Sequence, residues 1–217
     1  MDLRTKPARI FAGVMAVFVW VVLVVQFCLQ LTNQSVDVST SERIVRFFSY
    51  FTTLTNMIVA IAWTTVAYFP RTRIGEFLSR PDSQTAVAVY ISIVGVIYSL
   101  FLRGVWNPQG WQKFADHSLH DLTPIAFLLY WLIFVPKGVK WSDPIKWLVY
   151  PLVYMLYALI RGAIVNWYPY WFADAGQLGY LVALRNSFFV LFAFLVVGLI
   201  YVGVAKLFAT RPISSTT

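Results

Sequence analysis

Six stretches of this chain are apolar on every face over roughly the length of a bilayer crossing: about 10–31, 47–69, 85–102, 120–135, 147–165 and 181–208. Hydrocarbon offers no partner for a bare N–H or C=O, so a spanning segment must satisfy its backbone internally, as a helix or within a closed barrel. A barrel strand reads as about ten residues of alternating polarity, whereas Val14–Val25 and Phe188–Tyr201 show no alternation. The expectation is an all-α polytopic membrane protein, one transmembrane domain over residues 1–217 with six transmembrane helices in one bundle. Spans three to five are short against the ~20 residues a crossing needs, so their ends are loosely set. Hydrophobic residues make up 59% and charged ones 12% of the 217, against about 25% charged in soluble domains. Nothing is left over for a separate soluble domain.

Pro-, Gly- and polar-rich linkers separate the runs at Thr32–Glu42, Pro70–Gln84, Asn107–Asp116, Pro136–Pro144 and Tyr168–Gly179. The first run, from Ile10 to about Leu31, lacks a small-x-small cleavage site and reads as a span, not a signal peptide. The net charge is +8, yet the basic residues are dispersed through loops, which speaks for topology and against nucleic-acid binding. Arg4, Lys6, Arg9, Arg71, Arg73, Arg80, Lys137, Lys140, Lys146, Lys206 and Arg211 fall on one side, eleven in all, against Arg43, Arg46, Arg103, Lys113, Arg161 and Arg185 on the other. The positive-inside rule then makes both termini cytoplasmic. The lone Cys28 sits in an apolar run and reads as packing.

This topology gathers the unusual polar residues at the non-cytoplasmic ends of spans two, four and five. At 100° per residue Ser49, Thr52, Thr53 and Asn56 share one face of span two, within about 100° of each other. Such a face should look into the bundle, where hydroxyls commonly bond back to their own helix and Asn joins helices. The only two histidines, His117 and His120, stand i, i+3 at the start of span four and so on one face, beside Asp116 and Asp121, which could orient an imidazole. Zinc would need three or four ligands at suitable spacing, and no metal motif is matched. Arg161 closes span five and suits an anionic group or a snorkelling topology role. Trp167, Tyr168, Tyr170 and Trp171 follow it, and with Trp106, Trp111 and Trp141 they read as an interfacial belt or, for the first cluster, a lipid entrance. A hydroxyl beside an imidazole in an apolar enclosure suggests acyl transfer, with Asn56 or Arg161 as the nearest oxyanion donors.

Three patches, Arg46-Phe-Phe-Ser-Tyr-Phe-Thr-Thr-Leu-Thr-Asn56, His117-Ser-Leu-His120 with Pro124, and Trp167-Tyr-Pro-Tyr170 to Asp174, make the chain resemble the androgen-induced-gene / androgen-dependent TFPI-regulating protein family of multi-pass membrane hydrolases. The resemblance implies six spans and cleavage of fatty acid esters of hydroxy fatty acids by a threonine nucleophile and a histidine. The histidine carries over to His120. For the nucleophile, an ungapped alignment on Arg46–Tyr50 gives Ser49, and a three-residue slide gives Thr52; Thr52 is preferred and Ser49 retained. Substrate would come from the bilayer, held by Asn56, His117, Arg161, Tyr168 and Tyr170, with Asp116 and Asp121 supporting the base and no cofactor or metal. The rival readings are a lipid- or small-molecule-binding or transport protein using the same polar cavity, and a metal enzyme built on His117 and His120.

Overall fold

The computed structural model describes residues 3, 5–33, 37–105 and 107–209; Arg4, Trp106 and Arg211 lie outside them. Every regular element among the described residues is helical. In chain order these are α1 (Lys6–Thr32), α2 (Thr40–Ser49), α3 (Phe51–Tyr68), α4 (Arg73–Leu78), α5 (Pro81–Ile97), α6 (Gly110–His117), α7 (Thr123–Phe134), α8 (Asp143–Trp147), α9 (Val149–Val165), α10 (Ala175–Leu178) and α11 (Tyr180–Ala209). Two π-helical turns interrupt them: Tyr98–Leu102 extends α5, and Ser118–Leu122 joins α6 to α7.

Five helical runs are long and apolar enough to cross a membrane: Lys6–Thr32, Phe51–Tyr68, Pro81–Leu102, Asp143–Val165 and Tyr180–Ala209. More than half of the α3 and α5 windows is buried, against a third or less for α1, α9 and α11. The outer helices therefore present apolar faces outward: Ile10, Val14, Val17, Val21 and Val24 form an exposed stripe along α1 at helical spacing. Water would reject so large an apolar surface; lipid accepts it. The interior is aromatic: Trp63, Phe127 and Tyr130 are fully buried where α1, α3 and α7 meet, and Trp131, also buried, turns to α5 and α11, donating to Thr85 at 2.9 Å and meeting the Tyr201 ring. Phe11 stacks on Tyr130 with ring centroids 5.7 Å apart.

The remaining expected span, 120–135, is the second half of a longer helical run, 110–134, made of α6, the π turn and α7. Its first half carries Lys113, Asp116, His117, His120 and Asp121, which is why it does not register as a uniform apolar helix. Several expected linkers are helical too. Pro70–Gln84 holds α4 and the start of α5, where Pro81 stands in the first helical turn and Asp82 meets the positive end of the dipole. Most of Asn107–Asp116 belongs to α6. Cys28 lies on an exposed face of α1 instead of packing inside.

Span two differs most from expectation. Instead of one helix it is two, broken at Tyr50, whose backbone is extended (φ −82°, ψ 129°). α2 begins with an N-cap: the Ser39 hydroxyl accepts a hydrogen bond from the Glu42 N–H at 3.2 Å. It ends where the Ser49 hydroxyl donates back to the Val45 carbonyl at 2.7 Å, a bond that bends helices. The groups freed by the break are taken by tyrosines. Tyr154 on α9 donates to the Ser49 carbonyl at 2.8 Å, and the Thr52 N–H donates to the Tyr170 hydroxyl at 3.3 Å.

The α5 backbone approaches the π turn closely at Gly95. A Cβ there would stand 3.1 Å from the His120 carbonyl oxygen and 3.2 Å from Pro124 Cβ. Gly95→Leu should therefore destabilise the bundle by about 1–3 kcal/mol through overpacking and push the His120 segment away from α5. Chemical denaturation in detergent checks this, and an unchanged midpoint would count against it.

Candidate functional site

Thr52 and His120 meet. Thr52 occupies the first turn of α3, just past the break, and its Oγ1 lies 3.3 Å from His120 Nε2, at the loose end of hydrogen-bond reach, as is common without substrate. His120 Nδ1 faces the Asp116 backbone carbonyl at 2.9 Å and the Asp116 carboxylate at 3.3 Å. A carbonyl oxygen only accepts, so Nδ1 carries the proton; neutral His120 then presents a lone pair at Nε2 to the Thr52 hydroxyl. Asp116 is buried and receives a hydrogen bond from the Tyr98 hydroxyl. Tyr98 also stacks on the imidazole, 4.0 Å between centroids and 17° between planes. The chain Thr52–His120–Asp116–Tyr98 joins α3, the second π turn, α6 and the first π turn.

Both π turns serve this geometry, in keeping with the frequent use of π-bulges at functional sites. The first starts at Tyr98, with the Arg103 N–H reaching back to the Tyr98 carbonyl at 2.8 Å. The second separates the histidines, which do not share a face as α-helical spacing predicts. His117 is exposed and pairs with Asp121 at 2.7 Å, while His120 turns inward. Asp121 also pairs with Arg103, forming a charged rim in place of support for the base. No three His, Cys, Asp or Glu side chains come together in a metal-ligating group among the described residues.

Ser49 goes elsewhere. Fully buried at the end of α2, its hydroxyl lies 2.8 Å from that of Tyr157 on α9 and donates to Val45. The break at Tyr50 removes the shared face and depth that an unbroken helix gives Ser49 and Thr52. Asn56 stands behind the site as a clamp: its amide nitrogen donates to the Thr52 carbonyl at 2.9 Å and to the Leu119 carbonyl at 3.2 Å. It thereby fastens the α3 turn bearing Thr52 to the π turn bearing His120, in line with the helix-joining role anticipated for it.

Two cavities adjoin at Thr52. One, about 400 Å³, has a mixed wall, largely apolar but with polar and charged groups from Gln30, Arg43, Arg46, Asp116 and His120 among others. The second is apolar, lined by Phe51, Ile93, Ile97, Met155, Val190 and Phe194 among others. Thr52, Leu102, Pro169 and Tyr170 belong to both walls. Tyr170 arrives there because α9 ends on Asn166, which adopts the left-handed conformation (φ 53°) that Asn tolerates, and the chain turns back over the bundle.

The segment after α9 is anchored by charge. Arg161 donates to both Glu42 oxygens at 2.8 and 2.9 Å, and Arg46 reaches the same carboxylate at 2.8 Å. The two guanidinium groups lie 5.0 and 4.6 Å from the Trp167 ring centroid. Arg161 is thus a structural pair for Glu42 and lines neither cavity. Trp167 is packed between the two cations, while Trp111, Trp141 and Trp171 are exposed. Tyr168 is absent from both cavity walls and packs over Gly162, where any Cβ would collide with its ring. Tyr98, Tyr154 and Glu42 had no distinguishing pattern in the sequence beyond the i, i+4 spacing of Glu42 and Arg46. Comparison of the chain with family models, curated proteins and solved structures finds no match.

Burial pushes the Glu42 carboxyl up, but hydrogen bonds and attraction from Arg46 and Arg161 outweigh it and hold the group below its ordinary value. A lowered folded value means stability fully present above the unfolded value, about 4.3, and lost as the pH falls through the folded one. Glu42→Gln should lower stability by about 2 kcal/mol near neutral pH and flatten the acid limb of the stability profile. Thermal unfolding of both proteins across that range is the measurement; identical profiles would refute the anchoring role.

Proposed function

We propose that this protein is an integral membrane hydrolase of lipid acyl esters, with Thr52 as nucleophile and His120 as general base. The observation that carries the reading is the Thr52–His120 contact of 3.3 Å with Nε2 left as the acceptor, at the junction of an apolar cavity and one whose lining includes charged groups. In this scheme the Thr52 oxygen attacks the ester carbonyl while Nε2 takes its proton. The tetrahedral intermediate collapses, the alcohol leaves with the proton from His120, and an acyl group remains on Thr52. Water, deprotonated by the same nitrogen, then releases the fatty acid and restores the hydroxyl. The buried Asp116 steadies the imidazolium, and stacked Tyr98 fixes its plane.

The cavity arrangement favours an amphipathic ester. An acyl chain suits the apolar pocket, and a polar or anionic alcohol portion suits the cavity containing Arg43 and Arg46. Esters of hydroxy fatty acids, the substrate class of the family that the sequence resembles, meet that description. The run 110–134 supplies the sixth crossing, with Asp116 and His120 turned to the site, and the basic-residue bias puts both termini in the cytoplasm with the site toward the opposite face of the bacterial inner membrane that the family resemblance implies.

A fluorophosphonate probe should label the purified protein at Thr52, with labelling lost in Thr52→Ala and kept in Ser49→Ala. His120→Gln should lower kcat/KM on a lipid ester by about 10²–10⁴. A wild-type protein that neither takes the probe nor cleaves any ester would favour the binding or transport reading instead.

A further inference from the structure

Acyl transfer at Thr52 builds negative charge on the former carbonyl oxygen, and that charge needs donors fixed in advance. Of the two side chains that topology suggests, neither is available. The Asn56 NH₂ has two hydrogens and both are committed, to the Thr52 and Leu119 carbonyls; what remains is an acceptor oxygen, which would repel an oxyanion. Arg161 is engaged with Glu42 and lines neither cavity. Resting on the hydrolase reading above, we propose that the Tyr170 hydroxyl is the oxyanion donor, acting as a catalytic residue.

The position and polarity of the phenol both point this way. Tyr170 is one of the four residues lining both cavities, and its oxygen lies 3.3 Å from the Thr52 nitrogen, beside the carbon skeleton that bears the nucleophile. An ester spanning the two cavities brings its carbonyl to this point. The bond to the Thr52 N–H also sets the direction of the phenol. An N–H can only donate, so it occupies a lone pair of the Tyr170 oxygen; the phenol also meets the Thr52 hydroxyl, so its proton lies beside the nucleophile, where it can turn to an acceptor formed in the cavity. The ring is held in place: it stacks on Phe172 at 5.3 Å with an 8° interplanar angle and meets Tyr50 edge-on at 6.0 Å. Little reorganisation is then needed as charge develops, the condition under which such a donor is most effective. The first turn of α3 adds the positive end of an 18-residue helix at the same place. Tyr170 keeps its proton throughout, strengthening a hydrogen bond to the oxyanion and relaxing when the alcohol departs with the proton carried by His120.

Tyr170→Phe keeps the ring stack and removes the hydroxyl. It should lower kcat by about 10²–10³ with KM changed less than about threefold, and weaken a trifluoromethyl ketone inhibitor, which forms a tetrahedral adduct, by a similar factor. That variant also removes the acceptor for the Thr52 N–H, so a second arm separates the roles. With Tyr170 replaced by 3-fluorotyrosine and assayed below the pKa of the substituted phenol, the hydroxyl is a stronger donor and a weaker acceptor; an oxyanion donor predicts equal or faster acylation. Slower acylation, or a Tyr170→Phe enzyme with near wild-type kcat, overturns the proposal while leaving Thr52 and His120 as the catalytic pair. Absence of hydrolysis and of Thr52 labelling in the wild-type protein overturns the hydrolase reading and this proposal together.

Discussion

The break in the helix at Tyr50 is the constraint on which the rest of the structure depends. In an apolar surrounding, unpaired backbone groups are each worth several kcal/mol, roughly, in lost stability, so a helix can break there only where partners are waiting. Tyr154 serves the Ser49 carbonyl and Tyr170 serves the Thr52 N–H. These contacts bring α9 and the segment following it against the beginning of α3. They also make the wall in which Thr52 faces two cavities, one apolar and one with polar and charged groups in its lining. Without the break, Ser49 and Thr52 would lie on one continuous helix, and the first-turn setting of Thr52 would be lost.

A second departure from regular helix completes the arrangement. The π turn Ser118–Leu122 sends His117 outward to Asp121 and His120 inward to Thr52. Gly95 admits the His120 backbone close to α5, and Asn56 fastens the π turn to α3 from behind. Tyr98, on the other π turn, stacks on the imidazole and bonds to Asp116. Irregular backbone is thus concentrated around the polar residues, where tyrosine hydroxyls and Asn56 can satisfy it. The outer helices α1, α9 and α11 are regular and present apolar side chains outward.

The charge cluster of Glu42, Arg46 and Arg161 does comparable work farther out. It ties α2 to the end of α9 around Trp167 and so holds the segment that delivers Tyr170. Buried ion pairs are weak contributors to net stability in general. Here the pair is better understood as fixing where a loop returns.

Hydropathy alone was enough to reveal an all-helical chain with long apolar runs, because the penalty for bare backbone in hydrocarbon acts along the chain and is independent of which helices become neighbours. The same reasoning flagged Thr52, Asn56 and His120, since polar side chains within apolar runs stand out whatever surrounds them. Tertiary structure decided the rest. Whether Ser49 or Thr52 faces the imidazole, whether two histidines share a face, and whether Arg161 meets a ligand or Glu42 all depend on helix breaks, π turns and contacts between residues as far apart as Glu42 and Arg161. Periodicity assumes an unbroken helix, and the breaks are stabilised by distant tyrosines that no local pattern announces.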